Sequence, residues 1–147
     1  MNKSVQQSFV GLLFNTRNRA RFALDEKFKP VGLTDATWRT LFYLRQEGSG
    51  VKQKKLAKIM GIEGPSLVRL LDSLSAKDLI IRKTDEEDRR SKSIHLSTSA
   101  EPLLEKLDHL ALEARKELLR DISEEDLQIC IRVFEKILDK QLLGDNE

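Results

Sequence analysis

The sequence Asp88-Arg89-Arg90-Ser91-Lys92-Ser93-Ile94-His95-Leu96-Ser97 decides the fold that we expect of this chain. Its first half is charged, as in a loop. Its second half alternates, with Ile94 and Leu96 on one side of a short strand. Residues 79–83 are typical of a partner strand. Two strands joined by a charged, arginine-tipped loop, after two short helices, predict a winged helix, which can hold DNA in a major and a minor groove.

A helix-turn-helix pattern precedes these strands. Residues 54–60 predict a short helix that ends at Gly61. Pro65 suits the first turn of the next helix, where a missing N–H costs nothing. That second helix has an apolar face with Leu67, Leu70, Leu71 and Leu74. Its other face is polar, and it carries Ser66, Arg69 and Ser73.

Long amphipathic helices flank this module. Apolar residues recur at spacings of three and four in residues 4–28, from about 98 to 121, and in the last helix. Such helices, with few other surfaces to cover, predict a subunit interface. We therefore expect a mainly α homodimer with a small β-wing. Residues 30–97 would form the winged-helix DNA-binding module, and residues 1–29 and 98–147 the dimerisation helices.

The charge of the 147 residues is unevenly distributed, although the net charge is only +2. Residues 1–51 carry 8 Lys and Arg against 4 Asp and Glu, and residues 52–92 carry 11 against 7. Residues 93–147 carry 7 against 13. A basic central segment suits a polyanion, and an acidic helical tail suits solvent or a partner subunit. The alternative is that charge simply varies along the chain.

Cysteine content and hydropathy indicate a compartment. No apolar run approaches the ~20 residues that cross a bilayer, and the first residues do not form a signal-peptide core. Cys130 is the single cysteine, and its neighbours Ile129 and Ile131 predict a buried small hydrophobe rather than a redox switch. We expect a cytoplasmic, nucleoid-associated protein with no membrane partner.

Short segments over nearly the whole chain together match one known pattern. They are Leu33-Thr34 before Trp38, Leu56-Ala57-Lys58, Gly61-Ile62-Glu63, Pro65-Ser66-Leu67-Val68-Arg69, Leu71-Asp72-Ser73-Leu74, Leu79-Ile80, Asp88-Arg89-Arg90, Ile94-His95-Leu96-Ser97 and Ala100-Glu101-Pro102-Leu103. The chain thus resembles the MarR (multiple antibiotic resistance regulator) family, and within it the SlyA-like branch. The resemblance implies a bacterial, dimeric winged-helix protein that binds double-stranded DNA and regulates transcription.

The resemblance also implies roles for individual residues. Pro65, Ser66 and Arg69 would lie near the major groove, and Arg90 would enter the minor groove with Asp88 orienting its guanidinium. The full set of predicted DNA-binding residues is Gln53, Pro65, Ser66, Arg69, Ser73, Asp88, Arg89, Arg90 and Lys92. The alternatives are an intrahelical pair of Arg69 with Asp72 and a mobile surface position for Arg90.

Two positions depart from the family pattern. Asp78 stands where the family usually has glycine. Because Asp tolerates a left-handed conformation better than most residues, we expect the helix end to survive. Residues 85–87, Asp-Glu-Glu, would repel phosphates if their side chains pointed at them.

Two aromatic residues and two arginines form a candidate effector site. Trp38 and Phe42 are one helical turn apart, and the first helix carries Arg17 and Arg21. Such groups can hold a small aromatic carboxylate, and members of the resembling family often respond to phenolic compounds. The alternative is core packing for the rings, with the arginines facing DNA or solvent.

The sequence contains no pattern for catalysis. His95, His109 and Cys130 are too far apart for a metal-ligand pattern, and there is no Gly-rich phosphate loop or nucleophile elbow. We expect no enzyme activity, no cofactor and no metal. The alternative function is a winged-helix protein-interaction adaptor without specific DNA binding.

Overall fold

The computed structural model describes residues 2–48 and 50–140, and the chain divides into two compact units, the first of which ends at Arg115. The α-helices of the described residues are α1 (Lys3–Phe28), α2 (Asp35–Glu47), α3 (Gln53–Met60), α4 (Gly64–Ala76), α5 (Ala100–Leu118) and α6 (Glu124–Leu138). The strands are β1 (Val51–Lys52), β2 (Ile80–Thr84) and β3 (Lys92–Leu96). This mainly helical fold with a β-wing confirms the predicted fold class. The predicted division into a DNA-binding module and dimerisation helices stays a prediction.

The strands form one antiparallel sheet in the order β1-β3-β2. Ile80 pairs with Leu96 in the wing, so the strand predicted for residues 79–83 begins one residue later than expected. The sequence pattern does not predict β1, because two residues are too few to show alternation. β1 pairs Val51 with Ile94 and adds a third strand to the wing.

The core of the first unit lies where α2, α3 and α4 pack together and against the sheet. Its fully buried side chains are mostly leucines at helical spacing, and they include Leu41, Leu56, Leu67, Leu71, Leu74 and Ile94. Each contributes about 1.5–3 kcal/mol by leaving water. Phe28 of α1 and Leu104 and Leu107 of α5 belong to the same core. The apolar face predicted for the second helix of the pair is therefore confirmed.

Local signals set the ends of the helices. Thr34 caps α2: its Oγ1 accepts from the Thr37 N–H at 3.3 Å, and Thr37 Oγ1 accepts from the Thr34 N–H at 2.9 Å. Pro65 lies in the first turn of α4, as predicted. Asp78 follows α4 with φ +57°, so an aspartate does hold the left-handed position where glycine is usual.

The second unit begins at Lys116 and contains α6, whose first turn is capped by Ser123. Ser123 Oγ accepts from the Asp126 N–H at 3.1 Å. No residue of α6 is buried, and Phe134 and Leu138 are 39% and 81% exposed. Cys130 is exposed as well, so the prediction of a buried thiol is wrong for the single chain. The reason is that the chain buries no side chain of α6.

Candidate nucleic-acid interface

Helix α4 has one face in the core and one in solvent. Its three fully buried leucines fix the helix to α2 and β2. On the solvent side Pro65, Arg69 and Ser73 are exposed, and Ser66 is half-buried. The major groove of B-DNA is about 12 Å wide and admits one α-helix, so this face can meet base edges.

Arg69 is available for an external partner. Asp72, its predicted alternative partner, instead accepts from Arg82 Nη1 at 2.7 Å, an ion pair that joins α4 to β2. Among the described residues no ion pair involves Arg69. An unpaired guanidinium keeps its five N–H donors for a base edge or a phosphate.

The wing loop, residues 85–91, is shaped by its own aspartates. The Asp85 N–H donates to the Ser91 carbonyl at 3.0 Å and closes the base of the loop. Asp88 Oδ1 accepts from the backbone N–H of Arg90 at 3.0 Å, and the Asp88 carbonyl accepts from the Ser91 N–H at 2.9 Å. The expectation that Asp88 orients the Arg90 guanidinium stays a prediction. An aspartate readily bonds the N–H two residues later, so Asp88 orders the backbone that carries Arg90.

The acidic residues of the wing have different environments. Asp85 is half-buried. Its Oδ1 accepts from the Glu87 N–H at 3.0 Å, and its Oδ2 lies 3.9 Å from Lys52 Nζ. Glu86 and Glu87 are exposed, as are Arg89 and Arg90. One of the three neighbouring carboxylates is thus occupied inside the fold, which reduces the expected repulsion of phosphate but does not remove it.

A cleft of about 700 Å³ separates the wing from the starts of α3 and α4. It is lined by Lys52, Gln53, Lys54, Ala57, Gly64, Leu67, Asp88, Arg90, Ser91 and Lys92. Four of these side chains are cationic and one is anionic, so the cleft attracts a polyanion. The structure thus brings Gln53, Asp88, Arg90 and Lys92 together. The other predicted DNA-binding residues do not line the cleft, and they lie on α4 or in the wing loop.

At the base of the wing Gly50 lies close to His95, a contact that the sequence pattern does not predict. Gly50 has φ +76°, and a Cβ at this position would lie 2.7 Å from Cε1 of His95. His95 Nε2 in turn lies 3.0 Å from Ser93 Oγ. Position 50 therefore favours glycine for its backbone conformation, and a larger residue would also have to displace the His95 ring. The glycines around position 50 indicate a helix end in the sequence, but nothing there places them beside His95.

Trp38 and Phe42, the two aromatic residues of the candidate effector site, are in contact. The Trp38 ring centroid lies 5.5 Å from that of Phe28 and 5.7 Å from that of Phe42. The guanidinium 6.0 Å from the Phe42 centroid belongs to Arg45. Asp108 of α5 accepts from Trp38 Nε1 at 3.3 Å and from Arg45 Nη2 at 2.6 Å. An aromatic carboxylate would have to compete with this aspartate for both donors.

The two arginines of that site lie on α1, and both are exposed. Arg17 instead acts on Asp35, the first residue of α2. Burial raises the pKa of the Asp35 carboxyl above its usual range, and the positive charges of Arg39 and Arg17 offset only part of this rise. Among the described residues no ring contact joins Arg17 or Arg21 to Trp38 or Phe42. Arg45 could have been proposed instead, because a residue three positions after Phe42 shares its helical face.

Two further features are missing from the described ranges, 2–48 and 50–140. No group of three or more His, Cys, Asp or Glu side chains is placed to hold a metal ion. No helix there combines the length and the apolar character that spanning a bilayer requires.

Comparisons with known proteins agree with this geometry. Residues 31–91, which begin shortly before α2 and end with the wing loop, match the sequence pattern of the MarR family. The chain is also 35% identical to the transcriptional regulator PA3341, over 88% of this chain and 95% of that one, with a TM-score of 0.77. The chain belongs to the MarR family. This membership supports the predicted function, DNA-binding transcriptional regulation, whereas the SlyA-like branch stays a prediction.

Two structures of lower identity share the fold of this MarR-family chain. A MarR-family transcriptional regulator from Rhodococcus sp. RHA1 is 20% identical, over 97% of this chain and all of that one, with a TM-score of 0.84. A cysteine-to-serine mutant of MarR from E. coli, complexed with operator DNA, is 20% identical, over 94% of this chain and 99% of that one. Its TM-score is 0.83.

Proposed function

We propose that this MarR-family chain is a sequence-specific, double-stranded DNA-binding transcriptional regulator that acts as a homodimer on near-palindromic operators. One observation carries the proposal. The exposed face of α4 and the basic cleft beside the wing belong to the same folded unit. A duplex can therefore receive α4 in its major groove while the Arg90 side chain reaches the adjacent minor groove.

The phosphates between these two grooves meet the cations of the cleft. Lys52, Lys54 and Lys92 line the cleft together with Arg90. Such contacts fix the register of a protein on DNA and make its affinity fall steeply with salt. Base discrimination comes from α4, where Arg69 is exposed and unpaired among the described residues.

The proposed homodimer gives a partner to the apolar faces of α1 and α6. Phe9 and Leu12 of α1 are 39% and 63% exposed, and α6 has no buried residue. Burying a fully exposed side chain of this kind gains about 1.5–3 kcal/mol, and these partly exposed side chains gain the corresponding fraction. A two-fold dimer presents two copies of α4 about one helical turn of DNA apart, which is why the operator is expected to be near-palindromic.

Regulation then follows from occupancy of the operator. The bound dimer excludes polymerase or a competing silencing protein. An aromatic carboxylate near Trp38 would act only through unequal affinity for the DNA-competent and incompetent dimer geometries. Because its sequence segments resemble those of the SlyA-like branch, we assign the protein to that branch of the MarR family. We also expect it to associate with the nucleoid.

The test is selection of bound duplexes from a random-sequence library, followed by salt titration of the selected and a scrambled duplex. We expect an enriched inverted repeat and a preference of at least about a thousandfold over the scrambled duplex. The affinity for both duplexes should fall steeply with salt. A library without enrichment would contradict the proposal and favour the protein-interaction adaptor.

A further inference from the structure

Helix α4 exposes a large aliphatic side chain, Val68, directly after the fully buried Leu67. Val68 is 37% exposed. Successive residues of an α-helix are turned by about 100°, so Val68 stands at the edge of the outward face, one turn from Pro65 and Asp72. A β-branched residue is a weaker helix former than alanine, so helix propensity does not account for valine at this position.

The charged residues near Val68 are Asp72, which has an ion-pair partner, and Arg69, which has none among the described residues. Asp72 is drawn toward β2, because its carboxylate accepts from Arg82 Nη1 at 2.7 Å. Arg69 is exposed and has no ion-pair partner among the described residues. The exposed surface of α4 therefore carries two chemistries on successive residues, the methyl groups of Val68 and the guanidinium of Arg69.

The major groove offers a distinct partner for each. A guanine presents two acceptors to an arginine, and the apolar group on a base edge is the 5-methyl of thymine. We propose that Val68 is a specificity-determining residue that contacts a thymine 5-methyl group in each half-site, an inference that rests on the proposed function. Removing that methyl should weaken binding about fourfold, the value for one buried methylene-sized group.

Deoxyuridine scanning tests this directly. In a duplex selected from a random library, each thymine of one half-site is replaced singly by deoxyuridine, which removes the methyl and keeps the pairing. The unmodified protein should bind about fourfold more weakly at one replaced position. Val68→Ala should bind the thymine and uracil duplexes equally. Ile81→Ala, which shortens another exposed aliphatic side chain in the wing, should keep the fourfold difference.

The outcomes separate this inference from the proposed function. Val68→Ala should stay folded, as checked by circular dichroism, because alanine is the stronger helix former at an exposed position. Indifference of the unmodified protein to every thymine methyl, or discrimination retained in Val68→Ala, would overturn the inference and leave sequence-specific binding intact. A library that yields no enriched duplex would overturn both.

Discussion

Helices α4 and α6 carry apolar residues at the same helical spacing, but the chain uses them differently. In α4 three leucines lose all of their exposed surface in the core, whereas α6 has no buried residue. An amphipathic pattern therefore indicates that a helix has an apolar partner, but it does not indicate which chain supplies it. The partner of α4 lies in the same chain, and we propose a second copy as the partner of α6.

The largest expected effect is on assembly. Phe134→Asp places a carboxylate on the exposed apolar face of α6, twice in a two-fold dimer, and should weaken dimerisation about a thousandfold. Sedimentation equilibrium measures this, with Glu135→Gln on the same helix as the control. A dimerisation constant that is unchanged in Phe134→Asp would show that α6 does not cover a second copy.

The next largest effect is on folding, and it tests the burial of α4 in its own chain. Leu71→Ala should lower the free energy of unfolding by about 3 kcal/mol, because it leaves a cavity in a fully buried site. Urea denaturation at fixed protein concentration measures this loss. Ile81→Ala, at a position that is 48% exposed, should change the stability by less than about 0.5 kcal/mol. Equal losses in the two variants would contradict the burial of α4.

The outward face of α4 should affect binding but not folding. Arg69→Ala should weaken binding to a selected duplex by about 1–3 kcal/mol and relax the preference at one base position. Arg115→Ala, an exposed arginine of α5, is the matched control and should bind normally. Uniform weakening over all sequences would assign Arg69 to a phosphate instead of a base.

The wing should contribute a smaller effect that depends on the flanking sequence. Arg90→Ala should lose about tenfold in affinity on A·T-rich flanks and less on G·C-rich flanks, since narrow A·T minor grooves concentrate negative potential. Fluorescence anisotropy with both flanks measures the difference. Equal losses on the two flanks would exclude the minor-groove role.

The smallest effect concerns the end of α4. Asp78→Gly should leave the stability within about 1 kcal/mol, because glycine adopts φ +57° without steric cost. Asp78→Val should cost more, about 1–2 kcal/mol, since a β-branched residue is strained in this region. Thermal denaturation compares the two, and a valine variant as stable as the glycine variant would contradict the left-handed conformation.

Much of the fold could be predicted because its signals are local. These signals are the spacing of the leucines, the position of Pro65 and the tolerance of Asp78 for positive φ, and each depends on residues close in sequence. The wing was predictable for the same reason, since β2 and β3 are consecutive strands joined by one charged loop.

The parts of the site that could not be predicted depend on contacts between distant residues. The approach of Gly50 to His95 needs the two-residue β1, and the role of Asp108 beside Trp38 joins residues 70 positions apart. Exposure of Cys130 could not be predicted either, because hydrophobic spacing does not distinguish a core from a subunit interface.

The most direct test of the account is the stoichiometry and footprint of the complex with a selected duplex. Native mass spectrometry should find two chains on one duplex, and hydroxyl-radical footprinting should find two protected segments about one helical turn apart on one face. One chain per duplex, or a single protected segment, would contradict the proposal that paired copies of α4 read the operator.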